Sequence, residues 1–214
     1  TYGISQWAPF RDKQVTERVR AIKKSELTNH PNKDVKIDII KDSDFAFHRI
    51  HDIFFRIKQS DDEDRRLVLI LPQPHPQYAK VAYLINKFRV NCRNLYTFNM
   101  EEWADEDDNI APETYFNGFM RAQLTNFYEK IDPDLRPPLE QIQGINNKNL
   151  NDYGKMIEDL GGADVCYGGI GWSGHIAFID PHAPELQGSF EEWKEMGPRI
   201  VTLNHFTIAQ SSID

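Results

Sequence analysis

Residues 67–71 read Leu-Val-Leu-Ile-Leu, an unbroken apolar run that follows the acidic stretch at residues 61–64. Five apolar residues without alternation are typical of a strand buried on both faces, as in a parallel sheet. Pro72, Pro74 and Pro76 then exclude regular structure, and a helical pattern resumes over residues 77–88. The stretch therefore predicts one strand-to-helix unit of an α/β domain.

The same alternation extends in both directions along the chain. Before the apolar run, Asp44 is the expected N-cap of a helix with an apolar stripe at Phe47, Ile50, Ile53, Phe54 and Ile57. Further strands are expected at residues 35–40, 95–98, 163–167 and 200–203, with a long helix from Pro112 to Ile131 and another at 153–160 closed by Gly161 and Gly162. The pattern predicts a Rossmann-like, doubly wound α/β fold with a mainly parallel sheet and helices on both faces.

Composition limits the class of protein. The chain has 214 residues, 40% of them hydrophobic, which fits one large domain with a single core. A net charge of -8 argues against nucleic acid or an anionic membrane as the main partner. No apolar run reaches the roughly 20 residues of a spanning helix, and the first ten residues lack a signal-peptide pattern. Cys92 and Cys166 lie in apolar stretches and are expected to be small buried side chains, so we expect a cytoplasmic protein.

The first part of the chain differs from the rest. Trp7 and Phe10 precede a basic helical pattern with Val15, Val19 and Ile22 on one side. We expect an N-terminal helical arm over residues 1–30 and an α/β domain over residues 31–214. The arm either packs on the domain or grips a second subunit, and an exposed Trp193 is a second route to a homo-oligomer.

Two segments that follow strands carry candidate chemistry, because ligands bind beyond the carboxyl ends of parallel strands. Residues 168–181 place glycines at a strand end, where Gly169, Gly171 and Gly174 let the backbone approach a ligand closely. His175 follows them as a candidate proton shuttle, and Asp180 is a carboxylate that could orient it. A lone histidine is as often structural as catalytic at such a place.

The second segment is Asn99-Met100-Glu101-Glu102-Trp103. Two adjacent carboxylates on an extended backbone point in opposite directions, so one is expected to face the cleft as a base and the other to face outward. The alternative is a solvated acidic loop or a helix start, since residues 105–108 continue the charge.

Three blocks together resemble the glucosamine-6-phosphate deaminase (isomerase) family, in order and in spacing. They are residues 99–103, Pro112-Glu113-Thr114-Tyr115 with Phe119-Met120, and Gly168-Gly169-Ile170-Gly171 with Gly174-His175-Ile176-Ala177-Phe178. The resemblance runs from about residue 67 to residue 212. The related 6-phosphogluconolactonases share the fold, but a threonine normally follows their histidine block, so Ile176-Ala177-Phe178 favours the deaminases.

The resemblance implies an enzyme that opens an amino-sugar phosphate ring, isomerises aldose to ketose and releases ammonia. Glu101 stands at the position of the family's base, an aspartate, and His175 at that of the histidine that assists ring opening. Ser173 stands where the family has a catalytic aspartate, and Asp180 where it has a glutamate. The catalytic set implied for this chain is therefore Glu101, His175, Asp180 and Ser173.

The phosphate site differs more from the family pattern. Residues 72–77 contain three prolines in place of a loop of the type Pro-Thr-Gly-Ser-Thr-Pro, so amide donors and hydroxyls are lost. Thr207 matches a family threonine, but Ile208 stands in place of a phosphate-binding arginine. His75 is the residue expected to compensate in part. Family members continue past the strand expected at 200–203, so the resemblance also implies that part of the fold follows residue 214.

Three functions remain open from the sequence. The first is a divergent sugar-phosphate isomerase or deaminase; the second is a non-catalytic sugar-binding relative; the third is a lactonase-type hydrolase. No cofactor or metal site is expected, because His48 and His51 share a helix without a third ligand. The expected partner is a small sugar or sugar phosphate.

Overall fold

The computed structural model describes residues 12–72, 75–181 and 183–213. Trp7 and Phe10 of the expected arm lie outside the described residues. Helix α1, Lys13–Arg20, begins after Asp12, whose side chain accepts a hydrogen bond from the backbone N–H of Val15. None of its residues is buried, and Val15 and Val19 are about half exposed, at 46% and 52%. The apolar side of this helix therefore has no cover from the described part of the chain, and the arm stays a prediction.

The centre of the described fold is a parallel sheet of four strands in the order β3-β2-β1-β4. The strands are β1 Leu67–Leu71, β2 Leu95–Asn99, β3 Ile142–Gln143 and β4 Val165–Cys166. Leu69 of β1 pairs with Thr97 of β2 on one side and with Val165 of β4 on the other. The expected parallel sheet is confirmed. The apolar run at 67–71 is one of its two inner strands in the described fold, the one between β2 and β4, and we call it the central strand.

Helices cover both faces of this sheet, as expected. The remaining helices are α2 Asp42–Asp62, α3 Tyr78–Phe88, α4 Phe119–Asn126, α5 Tyr153–Asp159, α6 Phe190–Lys194 and α7 His205–Ser211. Leu67, Leu69 and Leu71 point into the larger core, which α2, α3 and α4 close. Val68 points to the opposite face, where it packs with Phe98 and Tyr153. The alternation of β1 side chains between two cores explains why the run contains no polar residue.

Two expected strands are wrong. Residues 35–40 form no strand, and their apolar side chains are exposed, with Ile39 at 62%. Residues 200–203 also have no strand pairing. A β-pattern becomes a strand only when a neighbouring strand supplies hydrogen bonds and a packing face. No described segment offers either segment that pairing, so both remain irregular.

The helix expected from Pro112 is also wrong at its start. The backbone forms two successive turns after Pro112, in which Tyr115 N–H donates to Pro112 and Gly118 N–H donates to Tyr115. Helix α4 begins only at Phe119, and a short 3-10 turn, Tyr128–Lys130, follows a break at Phe127. A proline can occupy the first turn of a helix but does not determine that one begins there.

Smaller corrections concern a helix start and a cysteine. Helix α2 begins after Lys41 and includes Asp44 in its first turn, where an acidic side chain interacts favourably with the helix dipole. Cys92 is buried as expected, but Cys166 is exposed. Cys166 lies on β4, which in the described fold pairs only with β1, so one edge of that strand is open.

Candidate functional site

The carboxyl ends of β1, β2 and β4 converge on one edge of the sheet. Met100 N–H donates to the carbonyl of Leu71 at 3.0 Å, and Tyr167 N–H donates to that of Ile70 at 3.0 Å. A Cβ atom built on Gly168 would lie 3.6 Å from the Cε of Met100, so the segments after β2 and β4 touch. The two segments singled out from the sequence therefore meet at this edge, as the parallel arrangement requires.

A cleft of about 1090 Å³ opens beside this edge. Its lining includes Glu101, Glu102, Trp103 and Tyr153 on one side and residues 177–179 and 198–203 on the other. Its volume is at the upper end of the range for small-molecule sites. The cleft is large enough to hold a monosaccharide phosphate.

The two adjacent carboxylates have different surroundings. Glu102 accepts hydrogen bonds from the backbone N–H groups of Trp103 and Phe119, both at 2.9 Å, and of Met120 at 2.8 Å. Burial raises the pKa of Glu102, while these backbone donors act in the opposite direction. Its carboxylate caps the start of α4, which is a structural role. Glu101, the other carboxylate of this pair, lines the cleft.

Four polar side chains of the glycine-histidine segment and α7 form one hydrogen-bonded cluster. Ser173 Oγ lies 2.5 Å from Asp180 Oδ1, 2.9 Å from Thr207 Oγ1 and 2.9 Å from His175 Nδ1. Thr207 Oγ1 lies 2.7 Å from Asp180 Oδ1 and 2.9 Å from His175 Nδ1. Ser173, Asp180 and Thr207 are buried, so water competes little for these bonds. The structure thus brings together three of the four expected catalytic residues.

Thr207 belongs to this cluster and not to a phosphate cradle. The sequence motif placed it among the substrate-binding residues, yet its side chain is fully buried and its hydroxyl contacts only members of the cluster among the described residues. The neighbouring Ile208 lines the cleft instead. The position of Thr207 on the inner side of a short helix explains the difference.

His175 is the least buried member of the cluster, with 12% of its side chain accessible. The pKa of its imidazole is lowered, mainly by burial, and the negative charge of Asp180, 4.0 Å from Nδ1, offsets this only in part. The neutral imidazole, which can accept a proton, is therefore the favoured form. The arrangement supports a proton-transfer role for His175.

The glycines of this segment have separate roles. A Cβ atom on Gly171 would lie 2.0 Å from the Cε1 atom of His175, so the imidazole ring lies directly on this backbone. Gly174 has a φ of 86°, which a glycine adopts without strain, and its N–H donates to the carbonyl of Gly171. No atom lies within 4 Å of a Cβ built on Gly169. Of the three expected substrate-binding glycines, Gly171 and Gly174 shape the histidine turn, and Gly169 leaves open space.

A tight turn follows His175. Ala177 and Phe178 both have left-handed backbones, with φ of 53° and 60°, between two hydrogen bonds that join Ile176 and Ile179. Two consecutive left-handed residues that are not glycine store about 1–3 kcal/mol each. The turn directs the Phe178 ring to within 5.0 Å of Trp103 and 5.4 Å of Phe119, measured between ring centroids. This aromatic contact joins the histidine segment to the segment that carries Glu101.

His75 lies elsewhere, in the loop between β1 and α3. Its Nε2 atom contacts the guanidinium of Arg49, a residue of α2. Arg49 also hydrogen-bonds to the Tyr78 hydroxyl, which donates to the carbonyl of Pro72 at 2.9 Å. The pKa of His75 is lowered to about 4, because burial and the charge of Arg49 both disfavour the imidazolium. His75 is therefore neutral at pH 7, and the positive charge at this loop belongs to Arg49.

Sequence reasoning missed Arg49. Its signal was present, because Arg49, Ile53 and Ile57 are spaced four residues apart and so share the buried face of α2. A cation on an apolar stripe needs a polar partner at its tip. The Tyr78 hydroxyl, which Arg49 contacts, donates to the carbonyl of Pro72, so Arg49 reaches the carboxyl end of β1.

The described residues were compared with the requirements of a metal site and of a membrane-spanning helix. No group of three or more histidine, cysteine or acidic side chains that could hold a metal ion occurs among residues 12–72, 75–181 and 183–213. In the same ranges, every helix is too short or too polar to cross a membrane.

Glucosamine-6-phosphate deaminases are among the known proteins that this chain resembles in sequence. The glucosamine-6-phosphate deaminase of Caenorhabditis elegans is 29% identical over 158 residues, which is 72% of this chain and 54% of that protein. That of Borrelia hermsii is 32% identical over 139 residues, 60% of this chain and 49% of that protein. This chain spans about half the length of the curated relatives that it matches. No family model matches it.

Comparison with solved structures tests the fold. A monomeric glucosamine-6-phosphate deaminase aligns with a TM-score of 0.59 and 21% identity over 77% of this chain and 65% of its own. A 6-phosphogluconolactonase from Thermotoga maritima aligns with a TM-score of 0.50 and 15% identity over 65% of this chain and 62% of its own. At these identities the alignments establish the fold alone. The resemblance seen in the motifs is thereby confirmed: this chain is similar in sequence to glucosamine-6-phosphate deaminases and has the α/β fold that they share with 6-phosphogluconolactonases.

Proposed function

We propose that this protein is a sugar-phosphate isomerase of the deaminase type, which converts an amino-sugar phosphate to a ketose phosphate and releases ammonia. One observation carries the proposal. Ser173, His175 and Asp180, in the segment that resembles the deaminases, form a hydrogen-bonded cluster with Thr207 of α7. The neighbouring residues Ala177 and Ile208 line the cleft that Glu101 also lines. Two buried hydroxyls and a carboxylate around one imidazole favour a catalytic histidine, because burying polar groups is costly for a segment with only a structural role.

The proposed reaction divides the proton transfers between two residues. His175 accepts the proton of the anomeric hydroxyl and passes it to the ring oxygen, which opens the sugar ring and leaves an aldehyde at the first carbon. Glu101 removes the proton from the second carbon while the aldehyde oxygen takes up a proton, which gives an enolamine. Glu101 then returns its proton to the first carbon while the nitrogen loses one, which leaves an imine at the second carbon and a hydroxyl at the first. Addition of water to that imine releases ammonia and leaves the ketone. General acid–base catalysis of this kind contributes about 10²- to 10⁴-fold for each well-placed group.

The phosphate of the substrate needs a different partner from the one implied by the resemblance. Residues 72–77 hold three prolines, and Ile208 offers no charge. We propose that Arg49 binds the phosphate, because its guanidinium reaches the loop after β1 and is the cation identified there. Arginine binds phosphate oxygens with two parallel N–H donors. Neutral His75 holds the guanidinium in place and adds no charge of its own.

The test of the reaction is to incubate the protein with glucosamine 6-phosphate and to follow ammonia and fructose 6-phosphate. We expect both products, and their loss in Glu101→Gln and His175→Ala. The matched control is Glu113→Gln, which alters an exposed carboxylate outside the cleft lining. Full activity in both site variants contradicts the assigned roles. Tight sugar binding without turnover in the unmodified protein supports a sugar-binding protein instead.

The test of the phosphate partner is the variant Arg49→Gln. A charged hydrogen bond contributes about 1.5–3 kcal/mol, so KM for the phosphorylated substrate is expected to rise roughly 10- to 100-fold. The matched control is Arg56→Gln, because Arg56 lies on the same helix and pairs with Asp52 at the surface. An unchanged KM in Arg49→Gln refutes this part of the proposal without touching the first.

A lactonase remains distinguishable from an isomerase. Hydrolysis of a lactone needs a base and water but no transfer of a proton between carbons. In heavy water, isomerisation exchanges protium for deuterium on the carbon skeleton, whereas lactone hydrolysis leaves the skeleton unlabelled.

A further inference from the structure

The hydroxyls of Ser173 and Thr207 lie between a buried carboxylate and an imidazole. Asp180 Oδ1 and His175 Nδ1 are 4.0 Å apart, too far for a direct hydrogen bond. Each hydroxyl lies within 2.9 Å of both groups. The carboxylate therefore acts on the imidazole through two hydroxyl oxygens.

Counting protons settles which group donates to which. Each hydroxyl has one proton, and an ionised carboxylate can only accept. Ser173 Oγ and Asp180 Oδ1 are 2.5 Å apart, and Thr207 Oγ1 and Asp180 Oδ1 are 2.7 Å apart. The two hydroxyl oxygens are also 2.9 Å apart, so two protons must serve three oxygen pairs. The bonds to the ionised carboxylate are the shorter ones and are charge-assisted, so both hydroxyl protons are directed to Asp180 and none lies between Ser173 and Thr207.

The imidazole must then be the donor at Nδ1. Both oxygens near this atom have already given their protons to Asp180, so each can only accept from the ring. Nδ1 of His175 consequently carries a proton, and in the neutral ring Nε2 carries the lone pair. Asn204 donates its backbone N–H to Asp180 Oδ2 at 2.6 Å. Thr207 Oγ1 lies 3.0 Å from the same oxygen but 2.7 Å from Oδ1, so its proton is directed to Oδ1, where Ser173 also donates.

We propose that Ser173 and Thr207 are positioning residues that fix His175 in the Nδ1–H tautomer, with Nε2 as the atom that accepts the proton in catalysis. Gly171 supports this role, since the ring lies against its Cα and leaves no room for a side chain. The tautomer of His175 follows from the hydrogen bonds of the cluster alone. Only the role of Nε2 in catalysis rests on the proposed function.

The variant Asp180→Asn reverses the direction of every bond in the cluster. Because Asn204 N–H donates at the Oδ2 position, the asparagine oxygen takes that place and its NH₂ group faces the hydroxyls. The NH₂ group donates to Ser173 and Thr207, and their protons turn toward His175 Nδ1. The imidazole must then carry its proton on Nε2. Asp180→Asn is therefore predicted to move the proton of His175 from Nδ1 to Nε2, although the two side chains at position 180 have nearly the same shape.

The experiment is two-bond ¹H–¹⁵N correlation spectroscopy of the histidine rings, with the His175 signals assigned by their absence in His175→Gln. We expect the Nδ1–H tautomer in the unmodified protein and the Nε2–H tautomer in Asp180→Asn. Asp159→Asn, an exposed carboxylate of α5 paired with Lys155, is the control and leaves the tautomer unchanged. A major Nε2–H form in the unmodified protein overturns the proposal even where Asp180→Asn does not fold.

Thr207→Val and Ser173→Ala test the relay from the hydroxyl side. Each single change leaves one hydroxyl between carboxylate and imidazole, so the Nδ1–H form is expected to persist. The double variant removes both acceptors, and the two tautomers are expected to mix. An unchanged tautomer in the double variant refutes the role of the hydroxyls. In turnover, the exchanged tautomer of Asp180→Asn is expected to lower kcat/KM by about 10²- to 10⁴-fold. Spectra as expected without any turnover support the relay and count against the proposed function.

Discussion

Replacing Gly171 by alanine tests how closely the site depends on the position of the imidazole. The added Cβ would lie 2.0 Å from Cε1, 2.4 Å from Nε2 and 2.5 Å from Nδ1 of His175. Carbon atoms in contact are normally about 3.5–4.0 Å apart, so the ring must move by about 1.5 Å or swing out of its site. Its bonds of 2.9 Å to Ser173 and Thr207 then exceed the limit for a hydrogen bond.

Two consequences of Gly171→Ala can be stated in magnitude. Misplacement of a catalytic group by about 1 Å costs about 10²-fold, so kcat/KM for glucosamine 6-phosphate is expected to fall about 100-fold. Loss of two hydrogen bonds lowers the free energy of unfolding by about 1–3 kcal/mol. For a protein of this size each kcal/mol corresponds to about 2–4 °C in Tm. The melting temperature thus falls modestly while activity nearly disappears.

Gly169→Ala is the matched control for this change. It lies two residues away, a Cβ there meets no atom within 4 Å, and neither glycine has a left-handed backbone. Ammonia release in a coupled assay and thermal unfolding are measured for both variants. Gly169→Ala is expected to resemble the unmodified protein. If Gly171→Ala keeps its kcat/KM, the imidazole does not need its present position and the mechanism is wrong.

Four further changes test other parts of the structure. Glu102→Gln places an NH₂ group where an oxygen accepts from a backbone N–H of α4, so the unfolding free energy in urea should fall by about 1–3 kcal/mol; an unchanged value contradicts the capping role. The pKa of His75, lowered to about 4, means that its neutral form stabilises the fold above pH 6.5 and that this stability is lost as the pH falls to about 4. His75→Gln should therefore lose less stability than the unmodified protein over that range, and parallel curves count against a buried neutral imidazole. Ala177→Gly relieves a left-handed backbone and should raise the unfolding free energy by about 0.5–1 kcal/mol, whereas a loss would show that the turn is unstrained. A thiol reagent should label exposed Cys166 and spare buried Cys92, whose pKa is raised to about 12, until the chain unfolds; labelling of both in the native protein contradicts this burial.

The sequence predicted those elements whose signal is local. The run at 67–71 became the central strand because its apolar residues fill two cores, and the helix at 77–88 differs from α3 by one residue. Residues 35–40 have an equally good strand pattern but no described partner. A strand depends on a neighbour that local sequence does not reveal, so pattern alone could not separate the two cases.

The sequence predicted most residues of the candidate site but not the contacts between them. The motif placed Ser173, His175 and Asp180 in one segment, but the contact of Thr207 with them depends on how α7 packs. Arg49 lies on a helix far from both motifs in sequence and reaches the loop after β1 through tertiary structure alone. The sequence could not show which of Glu101 and Glu102 has the structural role, because the capping role of Glu102 depends on where α4 begins.

The central strand also determines the order in which the site forms. Leu69 pairs with Thr97 across a loop of roughly 30 residues but with Val165 across roughly 100, and the entropy of closing the longer loop is greater by about 1 kcal/mol. We expect β1, α3 and β2 to assemble first and β4 to dock afterwards. The histidine segment follows β4 directly and closes last. Mild destabilisation should therefore abolish proton transfer while most of the hydrophobic core is still intact, and loss of activity should precede loss of helical signal during denaturation.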